Sequence, residues 1–209
     1  MAQMFLIRHG ETAWNVEEVY RGTIDVSLSE VGIKQAEALG KHLSQVKLDA
    51  IYSSPLKRAL ETASWVAKYQ GIAVIVKQGL IDFNFGEWQG LSEQDVKGLY
   101  PALHNEWRTD PQRVRIPGGE NLEEVRERGL NVVKEIISEH EGNVALVSHR
   151  VVNKVLICSL LGLDNSCFWN IKQDVGGIAI FEYKSGRFVL IKHNDTCYLK
   201  EMAKPLGDF

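Results

Sequence analysis

The residue best suited to chemistry is His9, in the run Leu6-Ile7-Arg8-His9-Gly10-Glu11-Thr12 with Asn15 close behind. A neutral, oriented imidazole can attack an electrophile through a ring nitrogen. Arg8 beside it offers planar donors that match phosphate oxygens. Gly10 lets backbone approach closely, and Thr12 and Asn15 add neutral donors. An isolated Arg-His pair at a strand end is more often a buried, hydrogen-bonded histidine, so the chemical reading needs company.

Three further clusters supply it. Ser53-Ser54-Pro55-Leu56-Lys57-Arg58 puts Arg58 in the first turn of a helix. A cation there opposes the positive end of the helix dipole, a cost that an anion in front of the helix would offset. The plain alternative is a solvated surface arginine. Ser148-His149-Arg150 repeats the strand-to-histidine layout. Its His149 reads as a group that stabilises charge developing on phosphoryl oxygens, not as a second nucleophile. Between Leu80 and Trp88, Asp82 and Glu87 are the acids in an otherwise apolar stretch. A carboxyl in apolar surroundings has a raised pKa and can act as a proton donor.

Regular elements must bring these clusters together. Apolar runs at residues 4–8, 48–53, 74–76, 144–148, 178–183 and 188–191 read as strands. After Ser29, a plausible N-cap, Ile33, Ala36, Leu39, Leu43 and Val46 recur at helical spacing. Residues 56–69 carry Ala59, Ala63 and Val66 on one face, and Asn121 with Glu124 forms a capping-box pattern opening a helix over 122–138. A last helix, 151–161, follows the 144–148 strand and ends at Gly162. This alternation predicts an α/β fold with a mostly parallel central sheet. Ligands then bind at the carboxyl ends of the strands, where three of the clusters would share one rim.

The chain has 209 residues, 44% hydrophobic and 24% charged, with no linker-like stretch, which fits one domain. A net charge of −3 gives no support for nucleic-acid binding. There is no signal-peptide pattern and no apolar run long enough for a bilayer, so a soluble, cytoplasmic protein is expected. Three scattered cysteines form neither a disulfide framework nor a Cys-x-x-Cys site, and Cys158 reads as core. His42, His104, His140 and His193 have no partner at metal-ligand spacing. Apolar residues near Phe168-Trp169 either join a homodimer interface or pack into the core.

Taken in order, Arg8-His9-Gly10-Glu11-Thr12, Arg58 within Ser-Ser-Pro-Leu-Lys-Arg-Ala, Phe85-Gly86-Glu87-Trp88 and Ser148-His149 resemble the histidine phosphatase (phosphoglycerate mutase-like) superfamily. The match runs from residue 4 to about 199. The resemblance implies a three-layer sandwich and a single domain over 1–209, with 83–118 as a lid or specificity insertion; a packed helical cap is the alternative for that stretch. It makes His9 the phosphorylated nucleophile, with Arg8, Arg58 and His149 around the phosphate. Asn15 and the Arg21-Gly22 pair match positions that contact phosphate or substrate in relatives. No metal and no cofactor are implied.

The chain also departs from the pattern. Asp82 stands where many relatives carry a glutamate general acid, and is preferred over Glu87 for that role. Arg150 replaces a common glycine after His149, and Asn194-Asp195-Thr196-Cys197-Tyr198-Leu199 replaces a common histidine-containing ending. The implied activity is a metal-independent phosphomonoesterase of the histidine acid phosphatase type acting on a small phosphorylated metabolite. Broad-specificity, α-ribazole and metal-independent phosphoserine phosphatases are all similar. Phe85, where the phosphoserine pattern carries a histidine, weighs against a charged amino acid as substrate. A cofactor-dependent phosphoglycerate mutase is the first alternative, although the span from Trp88 to Gly118 is short for it. A phosphoryl-binding protein without activity is the second.

Overall fold

The computed structural model describes residues 3–199; the ends of the expected 1–209 domain lie outside the described residues. Six strands form one sheet: β1 (Gln3–Arg8), β2 (Ala50–Ser53), β3 (Val74–Val76), β4 (Val144–Ser148), β5 (Ile178–Lys184) and β6 (Arg187–Asp195). Their spatial order is β3-β2-β4-β1-β5-β6. The first four run parallel, and β5 and β6 add an antiparallel edge. The edge follows from a two-residue connection: Lys184 pairs with Arg187, and Ser185 and Gly186 between them both have positive φ, 52° and 79°. That backbone suits the tight hairpin turn whose twist matches its strands.

Alternation along the strands divides the core into two layers. Phe5, Ile7, Ile51, Ala145 and Val147 pack on Leu39 and Leu43 of α2 (Glu30–Leu43) and on Ala59, Ala63 and Val66 of α3 (Lys57–Gln70). On the other face, Leu6, Tyr52 and Leu146 meet Val132, Val133 and Ile136 of α6 (Leu122–Glu139) and Val152, Val155 and Leu156 of α7 (Arg150–Leu160). The result is the expected three-layer sandwich.

Local signals explain most boundaries. Ser29 accepts a bond from the Gly32 N–H at 3.0 Å, and Asn121 and Glu124 cap each other's backbone at the start of α6. Ile33 departs from the expected apolar face of α2 and is exposed, because Gly32 and Gln35 take the inward positions. Val46 lies past the end of that helix.

Two helices occupy the stretch left open between lid and cap: α4 (Glu93–Leu99) and α5 (Pro101–Thr109), numbered after a short α1 (Ala13–Val16). Trp107 of α5 is fully buried against Phe83, Phe85 and Trp88, with ring centroids 5.6, 5.9 and 6.5 Å away. Phe168 and Trp169 join the same cluster, and the Trp169 indole N–H donates to the Trp107 carbonyl at 2.6 Å. Phe168 is fully buried and Trp169 partly buried against it, so this pair follows the core-packing alternative. Among the described residues, no helix is long and apolar enough to cross a membrane.

Candidate active site

Parallel pairing of β2, β4 and β1 brings three polar clusters to one rim. Arg8 is in register with Ser148, and Ser53 with Val147. The chain leaves β1 at His9, whose N–H still bonds the Ser148 carbonyl at 3.1 Å. His9 and His149 therefore end neighbouring strands, with ring centroids 5.2 Å apart at 61°. Arg8, His9, Asn15, Arg21, Arg58, Asp82 and His149 are all buried.

The His9 ring is held in one tautomer. Its Nδ1 lies 2.6 Å from the Gly10 carbonyl oxygen. A carbonyl only accepts, so Nδ1 carries the proton and Nε2 of the neutral ring keeps its lone pair. Burial pushes the pKa of His9 well below the ordinary histidine value, and the positive charges of Arg58, Arg8 and Arg21 act in the same direction. A neutral imidazole with a free Nε2 can attack phosphorus.

Arg58 is fully buried, which removes the surface alternative. Its Nη2 donates to the Gly22 carbonyl at 2.7 Å and to Asp82 Oδ2 at 2.9 Å, and Nη1 donates to the Ile24 carbonyl at 3.0 Å. These acceptors offset the unfavourable helix-end position without an anion in front of the helix. Gly22 thus enters the site through its carbonyl. Arg8 Nη1 bonds the Gln173 carbonyl at 2.6 Å. Asn15 accepts at Oδ1 from the Thr12 N–H and hydroxyl at 2.9 and 3.0 Å.

Arg21 differs from these. Its Nε and Nη1 are buried without a hydrogen-bond partner. Burial and the nearby Arg8 and Arg58 push its guanidinium below the ordinary arginine range, with Asp82 opposing. Unmet donors crowded by like charges suit an anionic group.

The two candidate acids separate cleanly. Asp82 lies in the pocket, its Oδ1 accepting the Phe83 N–H at 2.9 Å and its Oδ2 lying 3.5 Å from His149 Nδ1. Its surroundings are cationic, not apolar as expected, because Arg58 rather than the flanking phenylalanines faces its carboxyl. Glu87 is exposed and accepts from the Tyr100 hydroxyl at 2.9 Å. Beside Asp82, a small cavity is lined by Tyr20, Arg21, Phe85 and Arg150.

Some contacts around the rim leave no trace in the sequence. Gln173 contributes a main-chain carbonyl, which no side-chain pattern can reveal. Away from the rim, His42, Asp195 and Cys197 offer ligand atoms within 4.8 Å of one another, a grouping that their sequence separation conceals.

Fold and rim define an α/β phosphoryl-handling enzyme built around a histidine. The chain belongs to the histidine phosphatase superfamily, branch 1, whose family model matches residues 4–196. It is 37% identical to phosphoserine phosphatase 1 of Hydrogenobacter thermophilus over 96% of each chain. Among solved structures it is similar to Bacillus stearothermophilus YhfR, with 31% identity, a TM-score of 0.91, and 95% of this chain and 100% of that one covered. A mycobacterial glucosyl-3-phosphoglycerate phosphatase in complex with VO3 gives 28% identity and a TM-score of 0.88, covering 94% and 100%. Family and relatives support phosphatase activity for this chain.

Proposed function

We propose that this protein hydrolyses a small phosphomonoester through a phosphohistidine on His9. The observation that carries the reading is the pinned, neutral His9 ring, with Nε2 unengaged among three buried guanidinium groups. Arg8, Arg58 and His149 hold the non-bridging oxygens while Nε2 attacks phosphorus in line. Arg21 and the Asn15 amide complete the donor set. A dianion seated on Arg58 draws that group from Asp82 and frees the carboxyl to meet the leaving oxygen. Asp82 gives a proton to the leaving alkoxide, then takes one from the water that cleaves the phosphohistidine. Atoms balance: the ester oxygen leaves as an alcohol, and water supplies the fourth oxygen of phosphate.

The leaving group carries a carboxylate in our reading. It must lie beside Asp82, where Arg21 and Arg150 face the cavity and Phe85 offers no acceptor for an ammonium group. The relatives named for phosphoserine and glucosyl-3-phosphoglycerate act on such compounds.

The test is phosphate release in EDTA from phosphoserine, 3-phosphoglycerate, α-ribazole phosphate and sugar phosphates, with His9→Ala as control. Release that vanishes in the variant, fastest for the carboxylated esters, is expected. Undiminished activity of His9→Ala would overturn the phosphohistidine, and a preference for uncharged leaving groups would overturn the substrate class. Isomerisation of 3-phosphoglycerate only with added bisphosphate would make the protein a mutase.

A further inference from the structure

Ser54 follows the last residue of β2, and its N–H bonds the Val147 carbonyl of β4 at 3.0 Å. Its hydroxyl is fully buried and has two neighbours. The Leu56 N–H, at the N-cap of α3, donates to Oγ at 3.3 Å. His149 Nε2 lies 2.7 Å from the same oxygen. One hydroxyl therefore bridges the strand end, the helix that carries Arg58, and the second pocket histidine.

The proton count decides the direction of that bridge. Oγ already accepts from Leu56 and has one proton to give. The ring nitrogen is the acceptor in reach, so the hydroxyl donates and Nε2 keeps its lone pair. Burial, then Arg58 and Arg21, push the pKa of His149 well below the ordinary value, so the ring holds a single proton. That proton belongs on Nδ1. Nδ1 is buried, makes no hydrogen bond and lies 3.5 Å from Asp82 Oδ2, on the pocket side of the ring.

We infer that Ser54 is a positioning residue that sets the tautomer of His149, so that Nδ1–H points into the pocket as a donor to a phosphoryl oxygen. The two histidines then have matched protonation and opposite roles. In His9 the Gly10 carbonyl draws the proton to Nδ1 and frees Nε2 as the nucleophile; in His149 the Ser54 hydroxyl fills Nε2 and leaves Nδ1–H as the donor. The use made of that donor rests on the phosphatase reading, whereas the tautomer itself does not.

The experiment is nitrogen-15 NMR of histidine-labelled enzyme without substrate, comparing wild type with Ser54→Ala. His149 resonances, assigned with His149→Gln, should report a neutral ring protonated at Nδ1 in wild type. In Ser54→Ala the proton should shift toward Nε2. The same variant should lose roughly tenfold in kcat, the scale of one hydrogen bond in a dry site, with KM changed less. A wild-type ring protonated at Nε2 or at both nitrogens would overturn the inference, even if the variant failed to fold. An unchanged tautomer in folded Ser54→Ala would do the same. Failure of wild type to form phosphohistidine at His9 would instead overturn the phosphatase reading and leave the NMR result standing on its own.

Discussion

Gly10 and Gly32 clamp the His9 loop onto the first turn of α2: a β-carbon at Gly10 would lie 2.7 Å from the Gly32 carbonyl oxygen. A β-carbon at Gly32 would in turn collide with the Glu11 backbone. The close approach that a glycine after His9 permits is therefore to a helix, not to a ligand.

Gly32→Ala tests that clamp. Alanine normally stabilises a helix interior by about 0.5–1 kcal/mol over glycine, but overpacking against rigid backbone costs about 1–3 kcal/mol. The clash should win, lowering the melting temperature by roughly 2–8 °C for a chain of this size. Activity should fall as well, since Glu11 is two residues from His9. Thermal unfolding decides, and an unchanged or higher melting temperature would mean that the two segments separate freely.

Arg21→Met should trade function for stability. The variant removes two unpartnered nitrogens and one of several crowded cations from the pocket. Without ligand its melting temperature should be equal to or above that of wild type. Phosphate should protect wild type, by about 2.7 kcal/mol at a hundredfold excess over Kd, and protect the variant much less. Equal protection of both proteins would mean that Arg21 does not meet the anion.

Asp82→Asn and Glu87→Gln separate the two acids. Loss of a general acid costs about a hundredfold to ten-thousandfold, so Asp82→Asn should show a deficit of that order on alkyl phosphates. The deficit should shrink on p-nitrophenyl phosphate, whose leaving group needs no proton. Glu87→Gln, exposed and bonded to Tyr100, should remain near wild type on both substrates. A large and equal loss for Asp82→Asn on both would assign Asp82 to phosphate binding instead.

The buried histidines also set an acid limit on stability. His9 and His149 have pKa values lowered well below about 6.5, the value expected in the unfolded chain. Below pH 6.5 the unfolded chain takes up protons that the folded protein refuses, so stability falls as pH falls. Each ring contributes roughly 1.4 kcal/mol per pH unit until its folded pKa is reached. Denaturant midpoints measured between pH 7.5 and 5 should drop, and His149→Gln should flatten the slope. A flat profile in wild type would mean that the folded rings take up protons as readily as those of the unfolded chain.

Much of this architecture was legible from periodicity. The strand at 144–148 and the rim shared by His9 and His149 needed only the spacing of apolar residues, and the start of α6 only the polar pair Asn121 and Glu124. Arg58 was visible because a cation in a first helical turn is locally unfavourable. What stayed hidden depends on tertiary contact. Nothing near Asp82 in sequence announces that Arg58, twenty-four positions away, faces its carboxyl. Ile33 looked like a core residue until the Gly10 contact fixed the rotation of α2. Helices α4 and α5 are short, and their burial rests on Trp107 reaching an aromatic cluster drawn from distant segments.

The strand order carries one more consequence. β4 lies between β2 and β1, although it follows them by about ninety residues or more in the chain. During synthesis, β1 with Arg8, and β2 with the following helix that carries Arg58, have both left the ribosome long before residues 144–148 can insert between the two strands. A nascent chain stopped short of that insertion cannot bring His149 beside His9, however well its first helices have formed. The rim is thus assembled late, and His149 enters with the strand that joins β2 to β1.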